Sequence, residues 1–133
     1  MKKAVVYWSG TGNTEAMAKA VAEGAGAPLI SAADFGAAQA AEFDGIAFGC
    51  PAMGAEALEE SEFEPMFESV KGSLAGKRVA LFGSYGWGDG DWMQLWEDDC
   101  RAAGISLVCP SVICQGEPDA QALAKCKALG AAL

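Results

Sequence analysis

No histidine occurs among the 133 residues. That absence excludes Ser–His and Cys–His nucleophilic catalysis. The five cysteines, at positions 50, 100, 109, 114 and 126, are odd in number and include no Cys-x-x-Cys spacing. Neither a disulfide framework nor a zinc site is expected, and most of these thiols read as small core hydrophobes. Cations are scarce too: nine Lys and Arg against eighteen Asp and Glu leave a formal charge of −9. Nucleic acid and anionic membrane are poor partners for such a chain, and a basic surface on another protein is its natural complement. No apolar run approaches a membrane span and the first residues show no signal-peptide pattern, so a cytoplasmic location is expected. With 52% hydrophobic residues, the chain reads as one compact domain, residues 1–133, burying roughly two-thirds of its unfolded surface.

What is present is concentrated at the start. Ala4-Val5-Val6-Tyr7-Trp8 is an apolar run suited to a strand buried on both faces. It breaks into Ser9-Gly10-Thr11-Gly12-Asn13-Thr14, and a helical pattern follows with Met17, Ala20, Val21 and Gly24 on one face. Strand, tight polar loop and helix N-terminus make an anion site: free N–H groups point outward and the helix dipole favours negative charge. The loop holds no Lys or Arg, so three hydroxyls (Ser9, Thr11, Thr14), the Asn13 amide and backbone N–H must meet the charge. A nucleoside triphosphatase loop would need Gly-Lys-Ser/Thr. A dinucleotide site is the nearer rival, since Gly10-x-Gly12 is present and Asp34 lies about twenty residues on. The third glycine position, however, holds Glu15. A loop crowded with hydroxyls suits a terminal phosphate monoester better than a pyrophosphate passing through.

Further strands are expected at Pro28 to Ser31, Gly45 to Gly49, Val79 to Ser84 and, interrupted by Pro110, Ser106 to Cys114. Helical patterns run through 32–42, from about Glu64 to Gly72 with Pro65 in the first turn, and after Asp91, which is placed to cap that helix. The last of these should bury Trp92, Leu95, Trp96, Cys100 and Ala103. A final helix, capped by Asp119, should bury Leu123, Cys126, Gly130 and Leu133. Five strands alternating with helices imply an α/β fold, a parallel sheet covered on both faces. In such a sheet the ligand lies outside the carboxyl ends of the strands. There the phosphate loop meets Pro51 to Glu56 and Ser84 to Gly90, each with glycines and one large apolar side chain, Met53 or Trp87. A flat aromatic ligand between thioether and indole, its phosphate on the first loop, satisfies all three.

These residues resemble the short-chain bacterial flavodoxins along the whole chain. The resemblance rests on YWSGTGNTE (Tyr7 to Glu15), AMG-x-E (Ala52 to Glu56), LEESEFEP (Leu58 to Pro65) and LFGSYGWGDG (Leu81 to Gly90). It implies a flavodoxin-like doubly wound sheet in the order 2-1-3-4-5 and bound FMN. It also implies a low-potential one-electron carrier, not an enzyme, shuttling mainly between semiquinone and hydroquinone. The implied FMN site comprises Ser9, Gly10, Thr11, Gly12, Asn13 and Thr14; Pro51, Ala52, Met53, Gly54, Ala55 and Glu56; Ser84, Tyr85, Gly86, Trp87, Gly88 and Asp89; and Gln115. Ser9, Thr11, Asn13 and Thr14 would hold the phosphate, Met53 and Trp87 would cover the ring faces, and Glu56 would accept from flavin N3–H. Backbone in Ser84 to Gly88 would meet the pyrimidine edge, and the Gly54-Ala55 peptide would turn over on reduction. Pro51, Ala55 and Gly116 depart from residues common in the family. Implied partners are redox proteins with basic docking patches, met by a monomer. Two rivals remain for comparison. A small FMN-dependent NAD(P)H or quinone-type reductase would need room for a second substrate that the chain offers little of. A receiver domain would need acidic residues where Ser9-Gly10 and Cys50-Pro51 stand.

Overall fold

A computed structural model describes residues 2–53, 57–86 and 88–133. The strands are β1 (Lys3–Tyr7), β2 (Leu29–Ser31), β3 (Gly45–Gly49), β4 (Arg78–Tyr85) and β5 (Val112–Gln115). The helices are α1 (Asn13–Ala25), α2 (Ala37–Ala40), α3 (Phe63–Lys71), α4 (Asp91–Ala102) and α5 (Ala120–Ala132), with a 3-10 turn at Ala32–Asp34. All strands are parallel, in the order β2-β1-β3-β4-β5. The order reverses at β1, and the crevice between the carboxyl ends of β1 and β3 is where a ligand is placed in this topology.

The alternation of each strand divides the core into two unlike layers. Val6, Ile46, Phe48, Val79 and Leu81 face one side and meet the aromatic residues of α3 and α4. Phe67 lies edge-on to Phe48 at 5.2 Å between ring centroids, and Trp96 lies edge-on to Phe63 at 5.4 Å. Val5, Ala47, Ala80 and Phe82 face the other side, under α1 and α5. Small residues on that face let the two helices sit close to the sheet and to each other. A Cβ on Gly24 would lie 2.0 Å from the Lys127 carbonyl oxygen, and one on Gly130 would lie 2.1 Å from that of Val21.

Several sequence expectations shift. The helical pattern at 32–42 becomes a 3-10 turn and a short α2, because extended Gly36 interrupts it. The fifth strand keeps only Val112–Gln115 as a ladder, at the sheet edge, with Leu107 making an isolated bridge to Val79. In α4 the N-cap is Gly90, at φ 82, and Asp91 is the first helical residue without a capping bond. Leu95 is 60% exposed while Met93 is buried. Trp92, Trp96 and Cys100 fix the buried face, which drifts by about 40° every four residues toward Met93 and away from Leu95. Ala103 lies past the helix end, exposed. Asp119 does cap α5, its Oδ1 accepting from the Ala122 N–H at 2.8 Å.

The glycine contact between α1 and α5 is backbone against backbone, with no side chain free to rotate away. Gly24→Ala and Gly130→Ala should each cost about 1–3 kcal/mol, read as a lower urea midpoint at unchanged slope. Full retention of the wild-type midpoint would show that the two helices can separate freely.

Candidate functional site

The loop after β1 is built to leave donors open. Gly12 sits at φ 100, a left-handed conformation that turns successive N–H groups inward. Ser9 Oγ accepts from the Gly12 and Glu15 N–H groups, both at 3.2 Å, and so closes the loop on itself. The N–H groups of Gly10, Thr11, Asn13 and Thr14 donate to no acceptor among the described residues. Four donors gathered at the N-terminus of a 13-residue helix fit an anion. Glu15, in the first turn, would repel that anion. Its carboxylate takes a hydrogen bond from the Tyr7 hydroxyl at 3.3 Å, and burial together with Glu15 pushes the Tyr7 phenol upward.

Beneath the loop, Thr14 is 1% exposed and Ser84 is 4% exposed, and their hydroxyl oxygens lie 2.7 Å apart. Ser84 also ties the second loop, its carbonyl accepting from the Ala52 N–H at 3.0 Å. Met53 and Ala57 exchange backbone hydrogen bonds of 2.8 and 3.1 Å. Past this neck, the Glu59 N–H donates to Cys50 Sγ at 3.4 Å, and the thiol donates to the Pro51 carbonyl at 3.5 Å. Burial pushes that thiol up to about 12, so it stays protonated. On the third loop, Gln115 Nε2 donates to the Gly86 carbonyl at 3.2 Å and the Gly116 N–H to that of Tyr85 at 2.8 Å.

The three loops enclose a cleft of about 240 Å³ lined by Trp8, Gly10, Thr11, Asn13, Pro51, Ala52, Met53, Ser84, Tyr85 and Gly86. Nine of the expected site residues therefore converge. Ser9 and Gly12 line an adjoining cleft on the other side of the loop, Thr14 lies below, and Gly88 and Asp89 are exposed. Expectations for Gly54, Ala55, Glu56 and Trp87 fall outside the described residues. Among the described residues, no Lys or Arg lines either cleft.

Two residues were not singled out by the sequence. Trp8 walls both clefts, its ring 3.1 Å from where a Gly10 Cβ would stand, and its Nε1 donates to Glu62 at 3.0 Å. Its place at the end of a buried strand, next to the polar loop, was the available signal. Glu59, 5% exposed, caps α3 from four residues upstream. Its carboxylate accepts from the N–H groups of Ser61, Glu62 and Phe63 at 2.8, 2.7 and 2.9 Å and from the Ser61 hydroxyl. Burial alone would raise this carboxyl, but those hydrogen bonds outweigh it and hold it at about 2.

A neutral-donor anion loop joined to a mostly apolar slot, at the switch point of a doubly wound sheet, defines a mononucleotide-binding α/β protein whose ligand carries a flat ring. Comparison with known proteins is specific. The family model described as Flavodoxin matches residues 5–130. The flavodoxin of Clostridium beijerinckii is 48% identical over 120 residues, 86% of this chain and 87% of that one. The flavodoxin of Megasphaera elsdenii is 42% identical over 133 residues, 96% of this chain and 95% of that one. The solution structure of two-electron reduced Megasphaera elsdenii flavodoxin superposes with a TM-score of 0.86 over 98% of this chain and 96% of that one, at 44% identity. The chain belongs to the flavodoxin family. It is an FMN-binding electron-transfer protein, not an enzyme, and passes electrons to redox partners. The open donors and the apolar slot fit FMN.

Glu59 links this site to stability through pH. Its native pKa of about 2 lies below the ordinary 4.5, so its contribution is complete above about 4.5 and is lost as pH falls toward 2. Discounted for solvent screening, the contribution is on the order of 1–3 kcal/mol. Glu59→Gln should lower stability at neutral pH by about 1–3 kcal/mol and flatten the acid limb in urea melts from pH 5 to 2.5. An acid limb as steep as wild type would assign the proton uptake to other carboxyls.

Proposed function

We propose that the chain is a low-potential one-electron carrier, a cytoplasmic monomer that docks basic patches on its partners. Bound FMN supplies two one-electron steps, and this chain's residues bind it, orient it and set the electrostatic cost of charging it. The phosphate is assigned to Ser9, Thr11, Asn13, Thr14 and the open N–H groups, and the ring to the slot beside Met53, with Trp87 over its other face. Glu56 would accept from the ring N3–H, and backbone in Ser84 to Gly88 would meet the pyrimidine edge. Gly54 would give its peptide the freedom to turn a carbonyl toward the ring N5.

The observation that carries this reading is the arrangement of charge. Glu60, Glu62 and Glu64 enter α3, Asp89 and Asp91 enter α4, and Glu117 and Asp119 enter α5, all exposed and all at the carboxyl edge of the sheet. Lys2, Lys3, Lys77 and Arg78 lie at the opposite edge. One carboxylate about 10 Å from the ring, at an effective dielectric of roughly 40–80, opposes an added negative charge by about 0.4–0.8 kcal/mol. That is near 15–35 mV for one electron, and several such carboxylates add before salt screens them. The same edge steers cationic surfaces toward the cleft.

A potentiometric titration of the FMN-loaded protein should resolve two one-electron potentials; a single two-electron wave would overturn the carrier reading. Trp87→Ala, by admitting water, should raise the lower potential. Gly54→Val, by restricting the peptide, should lower the upper one by roughly 40–65 mV, the loss of one net hydrogen bond. In stopped flow, electron transfer to a cationic haem protein should slow as ionic strength rises from 0.01 to 0.2 M. A salt-independent rate would remove electrostatic docking.

A further inference from the structure

The buried hydroxyl pair under the anion loop has one proton too many. Thr14 Oγ1 and Ser84 Oγ share a single hydrogen bond at 2.7 Å, and each has no other partner among the described residues. Two hydroxyls carry two protons, only one of which lies between the oxygens. The second is a donor without an acceptor among the described residues, in a pair that is 1% and 4% exposed and meets the cleft at Ser84. Buried donors of this kind are expected to be satisfied.

The location of the open charge site decides which way the pair points. Thr14 lies in the first turn of α1, and its own N–H is one of the four donors without an acceptor. An anion held by those donors aligns neighbouring dipoles toward itself, and a hydrogen bond to a charged acceptor is roughly twice as strong as a neutral one. With Ser84 donating to Thr14 and Thr14 donating to the anion, both dipoles point the same way and reinforce each other. In the reverse order Thr14 would turn lone pairs toward the negative charge. Ser84 is held in place to do this: it is paired with Cys114 in the β4–β5 ladder, and its carbonyl accepts from Ala52.

We propose that Ser84 is a positioning residue for the phosphate end of the site: its hydroxyl donates to Thr14 Oγ1 and commits the Thr14 proton to the phosphate. The backbone of Ser84 belongs to the ring side of the cleft, so one residue serves both ends of the ligand. This inference rests on the FMN reading above, and its test separates the two. Dissociation constants of the full-length apoprotein for FMN and for riboflavin, which lacks the phosphate, are measured by flavin fluorescence quenching. Ser84→Ala should weaken FMN about three- to tenfold while riboflavin stays within about twofold. Ser84→Thr, which keeps the hydroxyl, should retain the wild-type ratio. Thr14→Val should lose more, and adding Ser84→Ala to it should change the FMN-to-riboflavin ratio no further. Equal weakening of both ligands, an unchanged ratio, or additive effects would overturn the proposal, because a merely structural hydroxyl moves both affinities together. The urea midpoint shift that inorganic phosphate gives the apoprotein reports the same contact without a ring, and should be smaller in Ser84→Ala than in wild type or Ser84→Thr. Wild-type protein showing no preference for FMN over riboflavin would instead sink the FMN reading itself.

Discussion

A chain of charge −9 that, among the described residues, brings no lysine or arginine to the two clefts at its anion loop must hold an anion without neutralising it. Direction replaces charge. The N-terminus of α1 offers a partial positive end and open N–H groups, and the left-handed Gly12 aims them. Everything near the loop protects that weak attraction. The Ser9 oxygen closes the loop by accepting from two of its N–H groups, which leaves the hydroxyl proton for the anion, and Tyr7 engages the one carboxylate, Glu15, that the first turn brings close. A cationic loop would bind phosphate more tightly. It would also favour negative charge on the ring, and so work against a low potential.

Such a site tolerates little play, because hydrogen bonds fall away steeply with distance and angle. The unlike layers of the core supply the stiffness. On one side α1 lies backbone to backbone against α5 at Gly24 and Gly130, which leaves the helix that carries the anion site no room to shift. On the other, interlocked aromatic rings fix α3 and α4. The second loop is then pinned from below by Cys50, at its neck by Met53 and Ala57, and at its far end by the Glu59 cap. The turn proposed for the Gly54 peptide would need this fixed base.

Much of this was legible in the sequence, and the reason is periodicity. The apolar runs at β1, β3 and β4, the glycine-rich breaks after them and the Asp119 cap are local signals, and each landed where the structure has it. The features that escaped depend on length of reach or on drift. Glu59 is not a preferred cap residue, and only a long side chain folded back under the first turn of α3 makes it one. Leu95 satisfied a helical stripe as well as Met93 did; the choice between them follows from the tilt of the Trp92–Trp96–Cys100 line against the sheet. Gly90 took the cap position from Asp91 because a left-handed turn, not a carboxylate, starts α4. The Thr14–Ser84 pair joins residues seventy apart, a contact that no local pattern announces.

In the proposed reading the exposed carboxylates at the carboxyl edge have two effects, and salt moves both in the same sense. They oppose the second electron, which lowers the potential and strengthens the reductant, and they draw basic partners toward the ring, which speeds encounter. Screening weakens both. Rising ionic strength therefore makes the protein a poorer reductant and a slower one together, so a large fall in rate with salt cannot by itself be assigned to docking. The two separate by distance. Repulsion of the added electron acts over about 10 Å through partly apolar surroundings and is screened weakly, whereas docking acts across open solvent beyond a Debye length of about 8–10 Å and is screened strongly. A carboxylate far from the ring, such as Glu117 at the entry to α5, should thus matter for encounter more than for potential, while those of the LEESEFEP segment beside Met53 matter for both.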